Sequence, residues 1–111
     1  MNPYVWLAGA IVSEIIGTTI LKLSNGLENT VLGITAISMY IVSFYFVSLA
    51  LTELPVGLVY ATWSAVGIVG LALIGIVYFD EPIDLAAVVG FVLVTAGIVL
   101  LNVYSDAYSP A

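Results

Sequence analysis

Hydrophobic residues fill four long stretches of the chain, and polar residues are concentrated in the short segments between them. The stretches run over about residues 4–21, 31–51, 56–79 and 83–104. Each is about 18 to 24 residues long, enough for a helix to cross a hydrocarbon core of about 30 Å. In lipid only helices and closed barrels satisfy their own backbone, and barrel strands are about half this length. The pattern predicts an all-α integral membrane protein of four transmembrane helices, forming a single domain over residues 1–111.

The polar segments carry residues that end and begin helices. Asn25 and Gly26 suit the left-handed backbone at a helix C-terminus. Pro55 suits the first turn of a helix, and the acids of residues 80–84 lie near the positive end of the fourth helix dipole. Because the connecting segments are short, we expect consecutive helices to be antiparallel neighbours.

The amino-acid composition limits both the environment of the protein and the reactions that it can support. Only 7% of the residues are charged against about 25% in soluble domains, so a water-exposed surface could not be covered. The chain has no cysteine and no histidine, which excludes thiolate metal sites and the commonest proton carrier at neutral pH. We predict a multi-pass protein of the cell (plasma or inner) membrane in contact with lipid. We expect no enzymatic activity, no catalytic residues, no metal or other cofactor, and no nucleic-acid partner.

The distribution of charged residues does little to determine which side of the membrane each loop lies on. Lys22 is the one basic side chain, and the positive-inside rule depends on an excess of Lys and Arg on one side. Acidic residues contribute little to that rule. Two topologies therefore stay open at this point: a weak preference for the first loop in the cytoplasm, and insertion in both orientations.

Glu14 lies in the middle of the first hydrophobic stretch. A charge at mid-membrane costs about 2.5 kcal/mol or more, and such residues are normally functional. The alternative is a protonated carboxyl that only bonds a neighbouring helix. We expect the small residues on the Glu14 face to leave space around the carboxylate. Helical spacing places on that face Leu7, Ala10, Ile11, Gly17 and Thr18.

The third stretch carries aromatic residues in its first half. Tyr60, Trp63 and Ser64 fall on one face of a helix. Aromatic rings near a carboxylate suit an organic cation, because charge pairing and cation–π attraction act together. The alternative is aromatic side chains that face lipid or the membrane interface. A weaker stripe of the same kind lies in the second stretch and comprises Tyr40, Ser43 and Phe44.

The fourth stretch offers a surface for close helix contact. Gly90 and Gly97 lie on one face, and small residues at this spacing let helices approach closely in lipid. Four helices with one buried glutamate are too few to enclose a solvated pocket, which favours a homodimer with two copies of Glu14 at one cavity. The alternative is that this face packs against the first three helices of the same chain.

These residues together resemble the small multidrug resistance (SMR) family over essentially the whole chain, without gaps. The matching positions are residues 10–19, Lys22, residues 55–64, Gly67, Asp84, Gly90 and Gly97. The resemblance implies a proton-coupled antiporter for multidrug efflux of lipophilic, quaternary ammonium cations. It also implies an antiparallel homodimer with dual topology, whose partners are a second copy of itself, organic cations, protons and lipid.

The resemblance also assigns roles to residues. It implies that Glu14 of both protomers binds proton and cation in turn, and that Gly90 and Gly97 form the dimer contact. Substrate binding would fall to Tyr60, Trp63 and Ser64. The positions that line or neighbour the pocket are Tyr4, Leu7, Ala10, Ile11, Gly17, Thr18, Tyr40, Ser43 and Phe44.

Two alternative functions come from related proteins. The guanidinium-exporting branch of the family has Trp three residues after the helix 1 Glu and Gly four residues before it. Here those positions hold Gly17 and Ala10, as in the quaternary ammonium branch. The second alternative is a non-transporting subunit that handles lipid carriers, which would need no ionisable pair. One departure from the family is Ala65, where Gly is frequent next to Val66.

Overall fold

The structure is a computed structural model that describes residues 2–108, and its long elements are all helices. The helices are α1 Pro3–Leu23, α2 Thr30–Ala50, α3 Val56–Tyr78 and α4 Leu85–Val99. A π-helical segment, Leu100–Tyr104, continues directly from α4. Within residues 2–108 four helices, the fourth counted with this segment, are long and apolar enough to cross a membrane. The prediction of an all-α protein with four membrane-spanning helices is confirmed. Met1 and residues 109–111, which the single-domain prediction includes, lie outside the described residues.

Side-chain caps fix where three of the helices begin. The side-chain oxygens of Asn2, Asn29 and Asp84 accept backbone N–H groups of the following first turn at 2.8, 3.1 and 2.9 Å. Because Asp84 is a cap, α4 begins at Leu85. Pro55 lies at the N-cap of α3 and not inside its first turn.

The loop after α1 uses left-handed backbone at three successive residues. Asn25, Gly26 and Leu27 have φ of 53°, 69° and 70°. The Ser24 hydroxyl donates to the Leu21 carbonyl at 2.6 Å and accepts the Leu27 N–H at 3.0 Å. This turn reverses the chain, so α2 runs back along α1.

The chain divides into two compact units between Glu53 and Leu54. In the first unit α1 and α2 pack closely along their length. Their contact is built from small side chains: Ala10 and Ala36 are both 0% exposed, and Gly17 and Ser43 are also buried. Small residues at a helix contact are typical of membrane proteins, where close packing drives association.

The second unit holds α3, α4 and the π-helical segment, and its helices pack much more loosely. All residues of α4 are described, and none of them is buried. An open groove of about 500 Å³ lies along the α3–α4 contact. It is lined by Val69, Ile83, Val88, Phe91, Val92, Thr95 and Ala96.

Several exposed hydroxyl groups in the helices are satisfied by their own helix. Thr35, Ser38 and Thr95 each donate to the carbonyl four residues earlier, all at 2.8 Å. In lipid such a bond removes the cost of an unsatisfied polar group. These hydroxyls therefore leave the helix surface compatible with a hydrocarbon environment.

Candidate functional site

Glu14 lies half-buried in α1 and accepts a hydrogen bond inside the first unit. The Thr18 hydroxyl, one helical turn further on, donates to its Oε1 at 2.9 Å. The same Thr18 oxygen lies 2.6 Å from the Tyr40 hydroxyl of α2. Because Thr18 has a single hydroxyl hydrogen and gives it to Glu14, Tyr40 is the donor to Thr18. A continuous chain of hydrogen bonds thus runs from α2 to the carboxylate.

This hydroxyl chain suits both protonation states of the acid. With an ionised Glu14, the hydrogen bonds run from Tyr40 through Thr18 to the carboxylate. A protonated carboxyl can instead donate to Thr18, which then donates to Tyr40, so the direction reverses while the atoms stay in place. Both hydrogen bonds of the trio can therefore form in either protonation state, and after the reversal the Tyr40 hydrogen needs an acceptor outside the trio.

The structure places several other predicted pocket residues in the packing between α1 and α2. Ser43 is 0% exposed, and its hydroxyl donates to the Ala10 carbonyl at 2.7 Å. Its hydrogen is therefore committed to holding the two helices together. The remaining predicted residues of this unit are the buried Leu7 and Ile11, the half-buried Tyr4 and the exposed Phe44.

The expectation that Ala10 and Gly17 leave space around Glu14 is wrong. A Cβ on Gly17 would lie 3.2 Å from the Met39 Cβ and 3.3 Å from the Ala36 carbonyl oxygen. The backbone of α2 occupies this space, and Gly17 is what allows it to come so close. Any side chain at position 17 would require α2 to move away by at least a few tenths of an ångström.

In the second unit two of the predicted aromatic residues touch. The rings of Tyr60 and Trp63 have centroids 6.0 Å apart and cross at 77°, the edge-to-face arrangement that aromatic pairs favour. Tyr60 is 65% exposed, so much of its ring surface is open, whereas Trp63 and Ser64 are half-buried. Open ring faces attract cations.

The predicted contact residues of α4 also lie open. A Cβ built on Gly90 or on Gly97 would meet no atom within 4 Å. The helix therefore presents a surface on which another helix could approach closely. As for metal chemistry, residues 2–108 contain no group of three or more His, Cys, Asp or Glu side chains arranged to hold an ion.

Sequence reasoning missed one polar contact of the second unit. The Asn102 side-chain amide donates to the Thr62 hydroxyl oxygen at 3.1 Å and to the Ile98 carbonyl at 3.0 Å. Asn102 belongs to the π-helical segment, and Thr62 precedes Trp63 directly. The signal that could have found them is that each is a polar residue inside an apolar span.

The fold and this site define a class: a four-helix, multi-pass membrane protein with a carboxylate inside a spanning helix. A family model described as "Small Multidrug Resistance protein" matches residues 2–94. The chain belongs to the small multidrug resistance family.

Relatives of known name match along nearly their full length. The "Multidrug transporter EmrE" of Escherichia coli (strain K12) is 40% identical over 105 residues, which cover 95% of this chain and 96% of that protein. The "Quaternary ammonium compound-resistance protein QacH" of Staphylococcus saprophyticus is 35% identical and covers 96% of this chain and 99% of its own. The "Multidrug resistance protein EbrA" of Bacillus atrophaeus is 40% identical, covering 89% and 94%. With its four spanning helices, the chain is a multi-pass protein of the plasma membrane.

Proposed function

We propose that this protein exports lipophilic and quaternary ammonium cations across the plasma membrane in exchange for protons. The observation that carries the proposal is the Glu14 carboxylate, which lies inside a spanning helix and is bonded to the Thr18 hydroxyl. Ionisable groups at such positions mark ion and proton pathways. Membership of the small multidrug resistance family supports the same function, since relatives are named as a multidrug transporter and as a quaternary ammonium compound-resistance protein.

The proposed coupling rests on competition for the carboxylate oxygens of Glu14. An organic cation pairs with the ionised carboxylate, and a proton binds the same oxygens, so each displaces the other. If the protein changes access only when the site is occupied, the proton gradient drives the cation outward. The hydroxyl chain of Thr18 and Tyr40 serves both occupants because it can donate to the ionised acid and accept from the protonated one.

Besides Glu14, the side chains proposed to contact the cation are ones that are at least partly exposed. Tyr60 and Trp63 offer aromatic rings, and Ser64 offers a hydroxyl on the same helix. Thr18 bonds the carboxylate, and Tyr40 bonds Thr18. Tyr4 and Phe44 are proposed to lie at the edge of the cation pocket. The buried residues are proposed to form the packed wall of the pocket; these are Leu7, Ala10, Ile11, Gly17 and Ser43.

The working unit in this proposal is an antiparallel homodimer, in which the four helices of each protomer act as one domain. Its support is the open surface of α4: no residue of that fully described helix is buried, and Gly90 and Gly97 have free space beside them. A second copy could approach there closely. Dual topology fits a chain with one basic residue, Lys22.

The two alternative functions gain no comparable support. Guanidinium export was associated with Trp at position 17, and this chain has Gly17 there, closely packed against α2. A non-transporting subunit would have no use for a carboxylate held by a hydroxyl chain inside the membrane.

The decisive experiment measures tetraphenylphosphonium binding against pH for the purified protein and for Glu14→Gln. For the unmodified protein we expect binding to strengthen as pH rises, because protons leave the carboxylate. Glu14→Gln should remain folded, bind no cation, and release no protons when cation is added to proteoliposomes. Glu28→Gln is the matched control, because Glu28 lies in the first loop and bonds Asn25 at 2.8 Å. Cation-driven proton release that persists in Glu14→Gln would refute the proposal.

A further inference from the structure

We propose that Asn102 is a positioning residue for the cation-binding face of α3, acting through its hydrogen bond to Thr62. Neither residue is among the predicted substrate-binding residues. The inference rests on the proposed function, because it concerns how Tyr60, Trp63 and Ser64 are aimed. It makes the end of α4 a partner in cation binding without any contact between Asn102 and the cation.

The contact itself is specific and directional. Asn102 Nδ2 reaches the Thr62 hydroxyl oxygen at 3.1 Å, and the same nitrogen donates to the Ile98 carbonyl at 3.0 Å. The second bond fixes the amide to its own helix, so the first ties that helix to α3. Thr62 is only 9% exposed, so the contact lies away from bulk solvent. Inter-helix hydrogen bonds of this kind join spanning helices in lipid.

The position of Thr62 on α3 determines what this tether controls. Successive helix residues are rotated by about 100°, so Thr62 points about 200° away from both Tyr60 and Ser64. A bond that holds Thr62 toward α4 therefore turns Tyr60 and Ser64 to the opposite side of α3. Trp63 is next to Thr62 in the chain, and its ring contacts the Tyr60 ring. The orientation of the Trp63 side chain therefore depends on the same rotation of α3.

The α3–α4 contact is packed much more loosely than the α1–α2 contact, so a single hydrogen bond is a larger share of what holds α3 in its rotation. Val69 and Thr95 lie seven residues from Thr62 and Asn102 respectively, and seven residues return a helix to nearly the same face about 10 Å away. Both residues line the open groove of about 500 Å³. One end of the contact is thus held by a hydrogen bond, and the other is open.

The π-helical geometry of Leu100–Tyr104 accompanies this contact. Inserting a π turn changes which side chains of a helix face its neighbour, and such turns occur frequently at functional sites. Here the turn contains Asn102. We infer that it delivers the amide to Thr62.

The first test reads the position of Trp63 without any cation. In a Trp6→Phe background, Trp63 is the source of every indole N–H signal in a proton–nitrogen NMR spectrum. We expect Asn102→Leu to shift this signal, although position 102 lies on a different helix. Thr62→Val should shift it as well, and adding Asn102→Leu to Thr62→Val should shift it no further, because the bond is already lost.

The second test measures cation affinity with matched variants. Thr62→Val and Asn102→Leu should each weaken tetraphenylphosphonium binding by about three- to tenfold, the loss expected for one hydrogen bond. Thr62→Ser keeps the hydroxyl and should bind within about twofold of the unmodified protein. Thr95→Val is the control, because that hydroxyl bonds only one turn back to Phe91 and should change neither the indole signal nor the affinity.

The results distinguish a failure of the positioning role from a failure of the proposed function. An indole signal that stays in place in Asn102→Leu overturns the positioning role, as does a Thr62→Ser variant that binds as weakly as Thr62→Val. Additive losses in the double variant also overturn it. If the unmodified protein binds no cation, the proposed function fails, while the indole signal still decides whether Asn102 positions α3. If Asn102→Leu does not fold, the Thr62→Val and Thr62→Ser pair decides by affinity.

Discussion

The α1–α2 unit and the α3–α4 unit use the same sequence pattern in opposite ways. In α1 the small residues Ala10 and Gly17 recur at a seven-residue interval and are buried against α2. In α4 Gly90 and Gly97 recur at the same interval and have no atom within contact distance of a built Cβ. Small residues at helical spacing therefore predict a surface suited to close approach, but they do not say which helix will occupy it. The first unit fills that surface within the chain, and the second leaves it open.

The two units should differ most in how their stability responds to a larger side chain at a helix contact. Ala36 is 0% exposed at the α1–α2 contact, so Ala36→Leu should lower the free energy of unfolding by about 1–3 kcal/mol through overpacking. Ala96 lines the groove of the second unit, so Ala96→Leu has room for its side chain and should cost nothing or stabilise by up to about 1 kcal/mol. Reversible unfolding in mixed detergent micelles, followed by circular dichroism, measures both.

The two variants together test whether the two units differ in packing. If Ala96→Leu destabilises the protein as much as Ala36→Leu, the groove closes in the membrane, and the second unit is as tightly packed as the first. If neither variant matters, the α1–α2 contact adjusts easily, and the close approach at Gly17 is not a constraint.

A smaller effect should distinguish hydroxyls that join helices from hydroxyls that serve their own helix. Ser43→Ala removes the bond to the Ala10 carbonyl and should lower the free energy of unfolding by about 1 kcal/mol. Ser38→Ala removes a bond within α2 at an exposed position, so we expect a change of less than about 0.5 kcal/mol. The same micelle titration measures both, and equal costs would mean that Ser43 does not hold α1 to α2.

Local features of the chain were predictable because their causes lie within a few residues. The four spans follow from length and polarity, and the left-handed Asn25 and Gly26 follow from residue type. The start of α4 was not predicted: the hydrophobic pattern began the span at residue 83, whereas Asp84 caps a helix that begins at Leu85.

Features that depend on a neighbouring helix were not predictable from one sequence. The period of α1 placed Gly17 on the Glu14 face, but only the position of α2 shows that Gly17 is packed and not a source of open space. The bond from Asn102 to Thr62 joins residues 40 positions apart, and no local pattern encodes such a pairing. The bond from Ser43 to the Ala10 carbonyl joins residues 33 positions apart, and it too has no local signal.

The smallest expected effect concerns two left-handed residues in the loops of the two units, Leu27 and Asp80. Leu27 has φ of 70°, which is unfavourable for a side chain of its type, whereas Asp80 has φ of 55° and is of a type that tolerates this region. Leu27→Asn should therefore raise the free energy of unfolding by about 0.5 kcal/mol, and Asp80→Asn should leave it nearly unchanged. The Leu27 side chain is 50% exposed but lies against Gly33, so it has some packing to lose. If Leu27→Asn destabilises the protein in the micelle titration, that packing outweighs the backbone strain, and the close packing of the first unit extends into its loop.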